Sequence, residues 1–226
     1  MPTLCICGID TGIGKSFVTG LMARHLLDQE KKVITQKLIQ TGSTTYRPED
    51  ILIHRKLMEV GWLDEDEQKL TCPYSFSFPG SPQLASRLEG RSIIPQVMHD
   101  ATHRLSARYD WVLVEAAGGL LVPLSDTLTQ IDYLARHKYS IVLVTSPRLG
   151  SINHTLMSLE AIKARNIDLA GLVYNLFEGG PDEIIQDSLR IFTDALNTYG
   201  FEENIAILPK WPEEKNIDWS KIIASL

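Results

Sequence analysis

The chain has 226 residues, of which 44% are hydrophobic and 22% charged, enough for one substantial core and without an apolar run long enough to cross a bilayer. Its 22 Lys+Arg against 28 Asp+Glu give a formal charge of −6, and the basic residues are scattered among acidic ones, which argues against nucleic acid as a partner. The first residues lack the basic region, long apolar stretch and cleavage site of a signal peptide, and three cysteines do not make a disulfide framework, so a single-domain cytoplasmic protein is expected.

In chain order, short β-rich apolar runs at 4–7, 33–36, 111–114, 141–144 and 169–174 predict buried strands. Apolar residues at helical spacing over 16–27, 51–58, 97–105, 152–164 and 184–196 predict helices between them, with Gly and Pro clusters at the joins. Strands separated by helices imply parallel pairing through right-handed crossovers, hence an α/β fold with a doubly wound, mostly parallel sheet. Cys5 and Cys7 share one face of the first strand, where small apolar side chains suit the core. The stretch 61–68 is acidic and irregular and reads as a solvated loop.

Residues 8–16, Gly-Ile-Asp-Thr-Gly-Ile-Gly-Lys-Ser, follow the first predicted strand and open the first predicted helix. In that context glycines let the backbone wrap with its N–H groups pointing inward, and the helix start adds the positive end of its dipole to a bound phosphate. Lys15 is expected to reach the β- and γ-phosphates, and the Ser16 hydroxyl to ligate Mg2+, a hard cation that takes oxygen donors. The sheet is therefore of the P-loop NTPase type. The usual first glycine, six residues before the lysine, is Ile9 here, and the glycine falls at Gly8. Partition-type ATPases carry a second loop lysine where this chain has Asp10, and the Asn-Lys-x-Asp motif of GTPases is absent.

The apolar run Trp111-Val-Leu-Val ends in Glu115 and is followed by Ala116, Ala117, Gly118 and Gly119. A carboxylate at the carboxyl edge of a strand beside the phosphate loop can hold Mg2+ directly or through water. A second acid is expected from Glu49 or Asp50, a pair that could equally favour its own helix dipole.

Taken together, residues 8–16, Lys37 with Thr41 and Gly42, Pro73-Tyr74 with Ser81-Pro82, the segment 112–119, and Leu149-Gly150-Ser-Ile-Asn153-His154 resemble the dethiobiotin synthetases over nearly the whole chain. The resemblance implies an ATP- and Mg2+-dependent enzyme that closes a ureido ring on 7,8-diaminononanoate with CO2, through a phosphorylated carbamate. It implies that Lys37 contacts carbamate and γ-phosphate, with Lys15 and Thr11 beside it in catalysis. Gly12, Ile13, Gly14, Lys15, Ser16 and Phe17, with Asp50, Glu115, Ala116, Ala117 and Gly118, would surround the nucleotide phosphates and metal. Asn175, Leu176 and Pro209 would hold the adenine. Asp50 matches the family's metal aspartate best, with Glu49 still open. Thr41, Leu149, Gly150 and Asn153 would bind the diamine, the last three from the second subunit of a homodimer; His154 carries no catalytic role.

The chain departs from the family pattern at Gly12, often Glu, and at Ala116, usually Gly, where one extra methyl could crowd backbone that approaches substrate. Pro147-Arg148 also replaces more apolar residues. Two other readings have less support. An amidoligase-type synthetase acting on a corrin would carry an appended glutaminase domain, for which 226 residues are too few. A regulatory P-loop module would have no need of Lys37, Glu115 and an acid near position 50.

Overall fold

A computed structural model describes residues 3–177, 179–210 and 217–225. In chain order the elements are β1 (Thr3–Gly8), α1 (Lys15–Asp28), β2 (Val33–Lys37), β3 (Ile39–Gln40), α2 (Glu49–Met58), α3 (Asp64–Glu67), β4 (Tyr74–Ser75), α4 (Pro82–Leu88) and α5 (Pro95–Ser106). They continue as β5 (Trp111–Gly119), β6 (Pro123–Ser125), β7 (Leu128–Thr129), α6 (Gln130–Arg136), β8 (Ser140–Thr145), α7 (Ser151–Ala164), β9 (Leu169–Asn175), α8 (Asp182–Tyr199), β10 (Ile205–Leu208) and α9 (Ser220–Ala224).

Six of these strands form one parallel sheet in the order β10-β9-β8-β1-β5-β2. The central strand β1 lies between β8 and β5, and Leu4, Cys5, Ile6 and Cys7 are fully buried. That burial is what a parallel strand covered on both faces requires, and it explains the unbroken apolar runs in the sequence. Removing each such aliphatic side chain from water contributes about 1.5–3 kcal/mol. Helix α1 carries the chain from β1 past the place later filled by β5 to the edge strand β2; from β8 onward the chain steps the other way, to β9 and β10. The reversal leaves a crevice at the carboxyl ends of β1 and its neighbours, where ligands bind in folds of this kind.

All the predicted strands and helices are present. The edge strand β10 escapes sequence reading because four residues with Ile207 exposed give no clear run, and α4 and α6, seven residues each, are too short to show a period. The stretch 61–68 is not simply a solvated loop. Its short helix α3 buries Asp66, whose two oxygens take a forked pair from Arg55 of α2, Nε to Oδ2 at 2.9 Å and the terminal guanidinium nitrogen to Oδ1 at 2.7 Å. Arg55 also donates to Thr35 Oγ1 of β2 at 2.8 Å, and Thr71 Oγ1 donates to Asp66 at 2.6 Å. This buried network fastens α2 onto the sheet.

Candidate active site

Between β1 and α1 the backbone turns through Gly12 at φ 72° and Gly14 at φ 96°, a region that side-chain-bearing residues seldom adopt. Gly14 is the N-cap of α1, and a Cβ there would run into the Asn175 amide. Asn175 is nearly buried at the end of β9; its Nδ2 donates to Ile13 O at 2.9 Å, and its Oδ1 accepts from Phe177 N at 3.0 Å. The end of β9 thus braces the loop, and among the described residues this amide has one N–H without an acceptor. Lys15 is buried with its Nζ 2.7 Å from Asp10 O; burial, then repulsion from Lys37, pushes its ammonium down to about 8.

Strand register supplies the next pair. In the β2–β5 ladder Lys37 lies opposite Glu115, so two adjacent strands deliver a cation and a carboxylate to the same edge. Lys37 Nζ is 2.7 Å from Glu115 Oε1, 2.7 Å from Asp50 Oδ2 and 3.2 Å from Ala116 O. Ser16 Oγ sits 3.0 Å from both Asp50 Oδ1 and Glu115 Oε1. Burial alone would push the Lys37 ammonium down, but Glu115 and Asp50 outweigh it and hold the group charged, well above the usual lysine range. Burial would likewise raise Glu115, yet Lys37 and then His54 hold its carboxyl far below the ordinary range.

Helix α2 contributes both Asp50 and, one turn later on the same face, His54. His54 is fully buried with Nε2 2.7 Å from Glu115 Oε2. Sequence reading missed it; its only signal was a place in the predicted helix 51–58, four residues after Asp50. Of the acidic pair, Asp50 faces the cluster, whereas Glu49 makes no contact with Ser16, Lys37 or Glu115.

Two cavities meet at the loop. A cavity of about 680 Å³ is lined by Thr11, Lys15, Ser16, Lys37, Thr41, Asp50, Glu115, Ala117 and Gly118. A second, of about 330 Å³, is lined by Ile13, Asn175, Phe177 and Leu208, and the two share Gly12, Gly14 and Phe17. The Phe17 and Phe177 rings stand 5.6 Å apart along the smaller one. Leu176 joins β10 through its N–H to Leu208 O at 2.8 Å; Leu208 lines the smaller cavity, whereas Leu176 and Pro209 do not. Ala116 does not crowd the larger cavity: its side chain is fully buried in the core, and only its carbonyl reaches Lys37. The substrate expectations at Leu149, Gly150 and Asn153 fall apart from Thr41. None of the three lines the larger cavity of its own chain, and Leu149 is 96% exposed.

The hydroxyl of Ser16 and the carboxylates of Asp50 and Glu115 are hard oxygen donors aimed at one point, a set suited to Mg2+ that completes its shell with phosphate oxygens and water. Among the described residues no three His, Cys, Asp or Glu side chains gather as an all-protein metal cage. The arrangement is suited to transfer of a phosphoryl group between anions, screened by Lys15 and Lys37.

Comparison with known proteins agrees with this geometry. A family model described as an AAA domain matches residues 2–216. The ATP-dependent dethiobiotin synthetase BioD of Chlorobaculum tepidum is 47% identical, over 88% of this chain and 83% of its own. BioD 2 of Pasteurella multocida is 44% identical over 86% of this chain and 91% of its own. Among solved structures the ParA of pNOB8 superposes with a TM-score of 0.59 at 13% identity, covering 100% of this chain and 91% of that one. MinD of Aquifex aeolicus, in its complex with MinC, gives 0.56 at 15% identity, covering 94% and 83%. At such identities these two show the fold alone, that of the P-loop NTPases. With a phosphate loop, a lysine and two carboxylates gathered beside one sheet edge, and such identity over most of its length, the chain belongs to the ATP-dependent dethiobiotin synthetase family.

Proposed function

We propose that this chain catalyses ATP- and Mg2+-dependent ring closure of 7,8-diaminononanoate with CO2 to dethiobiotin, a step of biotin synthesis, in the cytoplasm. One amine of the diamine adds to CO2 and loses a proton, giving a carbamate. A carbamate oxygen attacks the γ-phosphorus and ADP leaves. The second amine then adds to the carbamoyl carbon, phosphate departs, and the five-membered urea forms with loss of a proton.

The observation that carries this reading is the convergence of Lys37, Ser16, Asp50 and Glu115 beside the phosphate loop. Ser16, Asp50 and Glu115 would hold Mg2+, which when bound neutralises charge on the β- and γ-phosphates. Lys15 would grip those phosphates. Lys37 would lie between carbamate and γ-phosphate, where two anions must approach in line. Thr11 and Thr41 line the same cavity, and their hydroxyls would donate to phosphate and carbamate. The smaller cavity, lined by Asn175 and Leu208, would take the adenine, with Leu176 and Pro209 their neighbours in the chain.

Leu149, Gly150 and Asn153 would serve the neighbouring subunit of a homodimer. Gly150 caps α7 at φ 92°; the Ser151 N–H is taken by Arg148 O at 3.0 Å, so the N–H groups of Ile152 and Asn153 would be the ones to meet a carboxylate, and the exposed Leu149 beside them suits cover by a second copy. The test is an assay of purified protein with ATP, Mg2+, bicarbonate and the diamine. Diamine-dependent release of ADP with an equal amount of dethiobiotin is expected; ADP release indifferent to the diamine, with no dethiobiotin, would overturn the proposal.

A further inference from the structure

His54 belongs neither to the phosphate grip nor to the proposed metal donors, yet it is fully buried against one of them. We propose that His54 is a positioning residue that fixes the orientation of the Glu115 carboxylate for the metal; the inference rests on the assignment of Glu115 as a metal carboxylate.

The two oxygens of Glu115 have different surroundings. Oε1 faces Lys37 at 2.7 Å and Ser16 at 3.0 Å, on the side of the phosphate loop, and Oε2 faces His54 Nε2 at 2.7 Å. The terminal torsion of a glutamate is broad and roughly two-fold, so nothing in the side chain itself decides which way the carboxylate plane lies. An N–H from His54 does decide it. With Oε2 held, Oε1 stays turned toward Ser16 and Asp50, where a shared cation would sit.

The second imidazole nitrogen sharpens the argument. Nδ1 is buried and has no hydrogen-bond partner among the described residues. His54 therefore does not bridge Glu115 to another polar group, and the proton belongs on Nε2, where an acceptor waits. A buried imidazole with one nitrogen unsatisfied costs folding free energy relative to an apolar side chain of similar size. Its one polar contact among the described residues is with Glu115, and the inference rests on that contact. Helix α2 delivers Asp50 and His54 four residues apart on one face, and the Arg55–Asp66 fork fastens the same helix to the sheet. One element thus supplies one carboxylate donor and the group that orients the other carboxylate.

Outer partners of metal ligands change metal affinity by about 10–100-fold when removed. The probe is Mn2+, titrated in the presence of ADP and followed by its free-ion paramagnetic resonance signal, on the whole chain and on His54→Leu, His54→Gln and Glu115→Gln, with the melting temperature of each. His54→Leu is expected to weaken Mn2+ binding by about 10–100-fold. His54→Gln, whose amide can place an N–H where Nε2 stood, should restore it to within a few-fold. In turnover, the Mg2+ concentration for half-maximal rate should rise more than kcat falls. Should His54→Leu fail to fold, His54→Met takes its place.

A folded leucine or methionine variant that binds Mn2+ like the parent, while Glu115→Gln does not, would reduce His54 to packing and overturn the inference alone. A glutamine variant as weak as the leucine one would refute the donor role. Unchanged Mn2+ binding in Glu115→Gln would remove the metal assignment and the inference together.

Discussion

Lys37→Ala separates phosphoryl transfer from nucleotide binding. Lys37 is 5% exposed, and its ammonium has two carboxylates 2.7 Å away. At an effective dielectric of about 20, one such pair is attractive by about 6 kcal/mol before desolvation is counted. Breaking a buried pair by removing one partner costs about 3–5 kcal/mol once desolvation is included, so the variant should melt at a lower temperature. Mg2+ with ATP should recover more of that loss than it adds to the parent, because the metal replaces the missing charge beside Asp50 and Glu115. Turnover measured well below the melting point should fall by at least about 100-fold, or about 2.7 kcal/mol of transition-state stabilisation. Affinity for a non-hydrolysable ATP analogue, by calorimetry, should stay within a few-fold, since Lys15 and the loop N–H groups remain. Near-normal turnover would show that Lys37 is not the transferring cation. Loss of analogue binding would move it into the nucleotide grip.

Asp66→Asn should destabilise the fold by about 3–5 kcal/mol at neutral pH, because it leaves the Arg55 guanidinium buried without its counter-charge. Although burial would raise the Asp66 carboxyl, Arg55 and Thr71 hold it below the ordinary range. A depressed carboxyl contributes stability above its unfolded value of about 3.9 and loses it as pH falls through the lower folded value. The parent's advantage over Asp66→Asn in urea unfolding should therefore be full at pH 6 and shrink below pH 4; a gap independent of pH would contradict the pairing. Gly14→Ala forces a side chain into φ 96° and against the Asn175 amide, and should cost about 1–3 kcal/mol in stability together with nucleotide affinity. An alanine variant with unchanged affinity would mean the loop does not grip the nucleotide in this conformation.

Much of the site was legible in the sequence because its chemistry is local. Glycines spaced before Lys15 and Ser16, between an apolar run and an amphipathic one, specify a phosphate loop without any tertiary knowledge. Glu115 was legible as the acid that ends an apolar strand. Lys37 was not legible from its own surroundings: a lysine after a strand is commonly a solvated charge, and its pairing with Glu115 depends on β2 and β5 being neighbours in register. The same limit hid Asp66 and His54. Asp66 lies in an acidic stretch that looks solvated, and its burial depends on Arg55 arriving from α2. His54 looks like one polar residue in a helix until the fold brings it to Glu115. Long-range charge pairing leaves no periodic trace, so such residues appear only once the sheet is assembled. Ala116 shows the converse: a sequence departure that seemed to touch the site points into the core.

The central claim is that a carbamate oxygen is phosphorylated beside Lys37 and leaves with the phosphate. Carbamate made from doubly 18O-labelled CO2 carries two labelled oxygens, of which one must depart on phosphorus and one remain in the urea. A single turnover of purified protein with labelled CO2, ATP, Mg2+ and the diamine, before exchange with water, should release inorganic phosphate bearing one 18O, detected by phosphorus resonance or mass spectrometry. Unlabelled phosphate alongside dethiobiotin would contradict the account.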